Sequence, residues 1–430
     1  MINQQRVAFF IRAYNDVDHF TPVIAEFVKR NANPVVFVNS DFIFDDDYRF
    51  QYLKQLGSFE IFSDTDSEFI EAQKAAGFFG KIYKRIYQLK RSRNSIFGKI
   101  YRRFWFCSNR EIAILKEYNI STCVFEWCSP FERGELVEKY FMAAKAIGIK
   151  TISLPHGCNI FVNSDVTVGY RRHAGRAKLV DQSDRNLFDY YIVQNPLRRD
   201  GWIKWGQDPI KTQAWGSARF YPEWAALNRD ICPAYSNARA DPKKINVVFM
   251  QFQKEYNLKN EEIFDCLVTL SRNQQINLVV KDATREGKSF YDKEKVKGRL
   301  GNALIEWVGN DIHSPALVDW ADIVVVIGGS IGIEVILQRK ILIYPVFLNE
   351  NKTLYEELEA ANICREVDEI EELISNFKGG NLPARPLGES LLIREIVYAG
   401  LDVYDVPDFY YRQINSPYLN YGIQTVEQIS

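Results

Sequence analysis

Residues 322–340 read DIVVVIGGSIGIEVILQRK, and this stretch decides the fold. The run from Ile323 to Ile327 is apolar without alternation, the pattern of a strand whose sheet is covered on both faces. Gly328, Gly329 and Ser330 then interrupt it, and a helical pattern begins at once. Glycines let the backbone approach a ligand, and a strand that turns straight into a helix offers free N–H groups to an anion. Ser330 adds a hydroxyl where a phosphate would lie, and Glu334, one turn on, is suited to accept hydrogen bonds from a ribose. A tight turn with no ligand would read the same way. The motif is not the GxGxxG fingerprint and comes late in its series, which argues against a dinucleotide enzyme.

Working outward, the same half carries further apolar runs. INVVFMQF (245–252), INLVVK (276–281), ALIEWV (303–308) and KILIYPV (340–346) alternate with helical patterns. Towards the N-terminus lie VAFFI (7–11), a polar loop AYNDVD, a helix over 19–30, and a strand over 34–39. TCVFEW (122–127), a helix over 133–147, KTISL (150–154), DYYIVQ (189–194) and KTQAW (211–215) complete that half. Two βα series predict an α/β protein with two facing Rossmann-like domains and parallel sheets. A polar stretch between Pro222 and Lys244 reads as the linker. The expected division is residues 1–240, residues 241–385, and a helical tail over 386–430 that packs back on the first domain.

Length and composition set the bounds. The chain has 430 residues, 47% hydrophobic, 25% charged and 14% aromatic, which suits two or three folded domains and excludes disorder. A net charge of −1 gives no global pull towards nucleic acid, and none is expected as a partner. Seven scattered cysteines form no zinc spacing and read as reduced thiols of a cytosolic protein. The opening segment lacks the apolar run of a signal peptide, and no run is long enough to span a bilayer.

One local exception to the charge balance is Phe79 to Phe106, with nine Lys or Arg and no acid. FGKIYKR at 79–85 recurs as FGKIYRR at 97–103, 18 residues later, or five helical turns. Such a face would suit an anionic membrane surface or a lipid-phosphate acceptor. A solvated basic helix packed through its aromatics is the simpler alternative.

Residues that could carry chemistry collect at the carboxyl ends of the strands. Lys281 and Arg285 follow INLVV, where two cations would neutralise a diphosphate. His156, in SLPHGCN after the strand over 150–154, is placed to bind phosphate or move a proton. Glu126 ends VFE and could deprotonate an acceptor hydroxyl or attack an anomeric carbon. Arg219, in WGSARF, is a further anion contact. Each also has an ordinary structural explanation: loop charges for the cations, a backbone hydrogen bond for the histidine, a hydrogen-bonded loop or arginine partner for the glutamate. Three aspartate triplets, at 16–18, 45–47 and 64–66, are expected to be solvated loops.

In this order and spacing, SLPHG, WGSARF, VVFMQF, LVVKDATR and DIVVVIGGSIGIEVILQRKILIYP resemble bacterial surface-polysaccharide transferases of the GT-B fold. The nearest groups are the capsule and lipopolysaccharide Kdo transferases and the teichoic-acid glycerophosphotransferases. The resemblance covers about residues 122–346. It implies that Lys281, Arg285, Gly329, Ser330 and Glu334 hold a nucleotide-sugar donor, with cytidine nucleotides favoured; Gly328 of the same turn and Arg219 join them as expected donor contacts from the residues themselves. Glu126 and His156 would then be the catalytic candidates, facing a saccharide or lipid-linked acceptor. No cofactor and no metal would be required, and the enzyme would be cytoplasmic, on the inner face of the membrane if the basic segment docks there. The expected reaction is sugar transfer, with Kdo as the leading sugar. The alternatives are glycerophosphotransfer from a CDP-alcohol, 2-epimerisation of a UDP-sugar, and a non-enzymatic membrane-docking adaptor.

Overall fold

The computed structural model describes residues 5–12, 14–39, 46–64, 109–127, 129–130, 135–155, 160–163, 181–252, 256–282, 298, 305–309, 311–403 and 405–416. The basic segment over 79–106, His156 and Arg285 lie outside the described residues.

Two parallel sheets dominate. The first contains β1 (Arg6–Ile11), β2 (Val35–Asn39), β3 (Glu60–Asp64), β4 (Ile120–Glu126), β5 (Lys150–Leu154), β6 (Tyr190–Val193) and β7 (Thr212–Ala214), in the order β3-β2-β1-β4-β5-β6-β7. The second contains β8 (Ile245–Met250), β9 (Ile276–Lys281), β10 (Ile305–Val308), β11 (Ile323–Val326), β12 (Ile341–Pro345) and β13 (Asn362–Cys364), in the order β10-β9-β8-β11-β12-β13. The α/β expectation of two Rossmann-like sheets is borne out. In each sheet the strand order reverses beside the first strand, between β1 and β4 and between β8 and β11. Crevices at such reversals, outside the carboxyl ends, are where open α/β sheets bind ligands.

Both faces of both sheets are covered, which is why the strands are continuous apolar runs. On one face of the first sheet Phe10 stacks between Phe37 and Phe125, at 4.7 and 4.6 Å between ring centroids. On the other face Phe9 meets Phe20 and Phe27 of the helix Tyr14–Lys29 edge-on.

Two segments depart from the sequence reading. The polar stretch AYNDVD is no loop: the helix Tyr14–Lys29 begins inside it. Asp16, in its first turn, accepts a hydrogen bond from the Arg12 amide at 2.7 Å, stabilising the helix start. Asp16 and Asp47 are buried, so the expectation of solvated aspartates fails for both; each is held by an arginine. The stretch after Pro222 is not open linker either, because Pro222–Ile231 is a helix with Pro222 in its first turn, a position where the missing N–H is harmless.

The polypeptide returns to the first sheet after completing the second. The helix Val406–Asn415 places Tyr411 against Phe27 and Tyr410 against Trp215, and the Tyr410 hydroxyl donates to the Gly216 carbonyl at 2.8 Å. Lys150 at the start of β5 donates to the carbonyls of Ile414 (2.5 Å) and Ser416 (2.8 Å). Gly216 has φ +82°, and a β-carbon there would sit 2.0 Å from the Val397 carbonyl oxygen. Glycine is required at this junction on both counts.

Candidate functional site

At the reversal of the second sheet, Val326 pairs with Met250, so the next residues, Ile327 and Gln251, leave their strands side by side. The chain then turns through Gly328, Gly329 and Ser330 into the helix Ile331–Leu337. That helix has only seven residues, so its dipole adds little and the turn itself is the notable feature. It is held from beneath. The Asn349 side chain donates to the Ile327 carbonyl at 2.8 Å, and the Tyr355 hydroxyl donates to the Gly329 carbonyl at 2.9 Å. Tyr355 reaches the turn by passing under Gly332, where a β-carbon would lie 2.5 Å from its hydroxyl. With two carbonyls fixed from below, the turn keeps one shape.

Gln251 was not singled out from the sequence. It is 7% exposed, and among the described residues neither atom of its amide has a hydrogen-bond partner. A buried amide left unsatisfied costs about 1–3 kcal/mol, so such a group beside a ligand crevice is a ready contact for a ligand. One polar residue ending an apolar strand was the available signal.

The predicted donor residues divide. Gly328, Gly329 and Ser330 form the turn. Glu334 follows on the short helix, 3% exposed, with its carboxyl pushed up to about 7, chiefly by burial. Arg219, across on the other lobe, opposes that rise and Asp18 reinforces it. Arg219 itself lies 3.5 Å from Asp18 and 3.5 Å from the His19 ring. Burial, and then the charges of Arg219 and Arg49, hold His19 well below the usual histidine range, so the imidazole is neutral. Arg219 and Glu334 are thus brought together across the cleft. Lys281 is used elsewhere: its ammonium donates to the carbonyls of Gly309 and Ile312, the latter at 2.6 Å. Burial brings its pKa down to about 8. It pins the turn after β10 instead of standing free at the cleft.

The turn pinned by Lys281 leads to His313, which meets the first lobe. The Tyr14 hydroxyl and His313 Nδ1 are 2.6 Å apart, and the Tyr48 ring packs edge-on to His313 at 4.9 Å. Behind them Arg49, 1% exposed, pairs with Asp18 and with Asp47 at 2.6 Å. Its guanidinium lies 4.4 Å from the Tyr14 ring centroid and 5.1 Å from that of Tyr48. This cross-lobe cluster was invisible to sequence reading, because its members come from three separate segments, 14–18, 47–49 and 313.

At the reversal of the first sheet, Glu126 ends β4 and is buried in an ion pair with Arg12, which follows β1 and also pairs with Asp16 at 3.3 Å. Arg12 holds the two carboxylates in one place, at the carboxyl ends of two adjacent strands. Among the described residues no group of three or more His, Cys, Asp or Glu is arranged to hold a metal, and no helix is long and apolar enough to cross a membrane. Cys123, Cys232, Cys266 and Cys364 are buried free thiols.

Two lobes with reversal crevices at the carboxyl ends of their sheets define an α/β protein of GT-B-like architecture. The solved structures that share it include a putative UDP-N-acetylglucosamine 2-epimerase from Listeria monocytogenes, with TM-score 0.55 and 8% identity over 96% of this chain and 95% of that one. MnaA from S. aureus, solved with UDP, has TM-score 0.53 and 12% identity over 95% and 94% of the two chains. HepE from Anabaena, solved with UDP and glucose, has TM-score 0.51 and 11% identity over 95% and 98%. The likeness is one of fold. No protein-family model matches the sequence, and no curated protein matches it.

Proposed function

We propose that this protein is an enzyme acting on a uridine-diphosphate sugar, with the nucleotide on the Gly328–Ser330 turn and the sugar reaching towards Glu126 and Arg12. The observation that carries the reading is the pairing of that braced turn with the unsatisfied amide of Gln251 at a strand-order reversal. Nucleotide-sugar proteins of the same fold support it, since their structures hold UDP, UDP-GlcNAc or UDP-glucose. Those neighbours favour 2-epimerisation of a UDP-sugar over the transferase reading drawn from the sequence motifs. They carry uridine nucleotides, which argues for UDP ahead of CMP or CDP.

In this scheme Arg219, beside Asp18 at the cleft, is a cation that a diphosphate can engage, and preorganised charge of this kind stabilises a leaving phosphate without metal. Glu334 accepts from the ribose in its ionised form. Glu126 and His156 remain the candidates for proton handling at the sugar. Transfer of Kdo from a cytidine donor to a lipid-linked saccharide is the second reading, favoured by the order of the sequence motifs.

Product analysis separates the two reactions. UDP-GlcNAc incubated with the protein alone should yield the C2 epimer in the proton NMR spectrum, because epimerisation needs no acceptor. Unchanged UDP-GlcNAc, together with a thermal shift from CMP but none from UDP, would overturn the epimerase reading and favour the transferase. For the site, Ser330→Ala and Gln251→Leu are each expected to weaken UDP binding by about 1–3 kcal/mol in calorimetry. Wild-type affinity in both variants would remove the nucleotide from this turn.

A further inference from the structure

The two lobes meet at a second place, away from the Arg49 cluster, and that contact leads directly to the turn. The segment 160–163 of the first lobe pairs antiparallel with 352–354 of the second. The Val162 amide donates to the Lys352 carbonyl at 2.9 Å, and the Leu354 amide donates to the Ile160 carbonyl at 2.8 Å. Four asparagine side chains extend this bridge inward. Asn163 donates to the Asn351 side-chain oxygen at 3.0 Å and accepts from the Lys352 amide at 3.1 Å. Asn257 donates to the same Asn351 oxygen at 2.9 Å, and the Asn351 side chain donates to the Tyr256 carbonyl at 2.7 Å. The Asn351 backbone amide donates to the Asn349 side-chain oxygen at 2.9 Å, and the Asn349 side chain donates to the carbonyl of Ile327, the residue that leads into the turn.

Asn257, Asn349 and Asn351 are buried. Asparagine suits each link because one side chain both donates and accepts. A chain of amides that donate and accept among themselves holds a single geometry, and losing one link removes a constraint on the position of the next. Tyr355, which braces Gly329, lies on the same segment, two residues beyond the bridge residue Thr353. Docking of the first lobe on residues 352–354 therefore sets the position of both side chains beneath the turn.

We infer that Asn163 of the first lobe is a positioning residue for the Gly328–Ser330 turn of the second, so that nucleotide binds tightly only when the lobes are clasped through 160–163 and 352–354. Its ligand rests on the reading proposed above, but the coupling does not. Asn163 is only partly buried, so its replacement leaves both cores intact.

The test has two readouts on the full chain. In the ligand-free protein, Asn163→Ala should speed amide hydrogen exchange across residues 327–331 and leave β8 and the helix Tyr14–Lys29 at wild-type rates. In calorimetry with UDP, the same variant should raise Kd about fivefold, equivalent to about 1 kcal/mol. Asn163→Asp keeps the acceptor for the Lys352 amide but turns an oxygen towards the Asn351 oxygen, and should act in the same direction. Wild-type exchange in the turn for both variants would overturn the inference. So would acceleration spread evenly through the protein, the mark of a merely structural role. Faster exchange confined to the turn, in a protein whose wild type binds no UDP, would uphold the coupling and count against the nucleotide reading alone.

Discussion

Arg49→Met is expected to lower folding stability by about 3–5 kcal/mol, the cost of removing one partner from a buried ion-pair network. Arg49 is enclosed, and its guanidinium is the cation shared by Asp18 and Asp47. Methionine fills part of the volume but leaves two carboxylates facing each other without it. The two tyrosine rings against which the guanidinium lies also lose their packing partner. Because Tyr14 and Tyr48 hold His313 of the other lobe, the damage should extend to the lobe contact. Urea unfolding followed by tryptophan fluorescence gives the measurement. A loss below about 1 kcal/mol would mean that water already screens this cluster as it does a surface pair. Asp47→Asn in the Arg49→Met background should recover part of the loss.

The second large effect depends on pH. Glu334 has its carboxyl raised from 4.5 to about 7 by burial. Below pH 4.5 the group is protonated in both folded and unfolded chains, and its contribution to stability is complete. As pH rises from 4.5 through 7, the unfolded chain releases the proton while the folded chain still holds it, so stability falls. Above about pH 7 the loss is full, amounting to about 3 kcal/mol. Glu334→Gln keeps the neutral amide at every pH. It should match the wild type near pH 4 and exceed it by roughly that amount at pH 8. Equal midpoints for the two proteins at pH 8 would show that Arg219, across the cleft, compensates the carboxylate fully. A more stable variant that binds UDP less well would fit a residue kept for its charge.

The sequence revealed most where structure is set locally. β5 and β9 fall on the bounds read from their apolar runs, and β1, β4, β8, β11 and β12 lie within a few residues of theirs. A strand covered on both faces needs continuous apolar residues, and little else produces them. The edge strands Glu60–Asp64 and Asn362–Cys364 were missed because each has a neighbour on one side only. They are short, and polar residues are tolerated there. Tyr14–Lys29 was read as starting late because its first turn is polar. Those carboxylates, Asp16 and Asp18, are paired with Arg12 and Arg49, the second of which comes from another segment.

The candidate site shows the same division. The Gly328–Ser330 turn was legible because strand, glycines and helix follow each other directly. Lys281 was read as a free cation, since nothing local indicates that the carbonyls of Gly309 and Ile312 surround it. Asn163, Asn257, Asn349 and Asn351 were not singled out from the sequence. Their role depends on four loops meeting.

The return of residues 406–415 to the first lobe has a consequence for biosynthesis. Val406, Tyr410 and Ile414 are buried in the same core as Phe9, Phe20 and Phe27, yet they leave the ribosome only after the entire second sheet. A nascent chain ordinarily folds its leading domain while the next is still being made. Here that early product must wait with an apolar face uncovered, so its exposure to chaperones and to aggregation lasts as long as translation of everything in between.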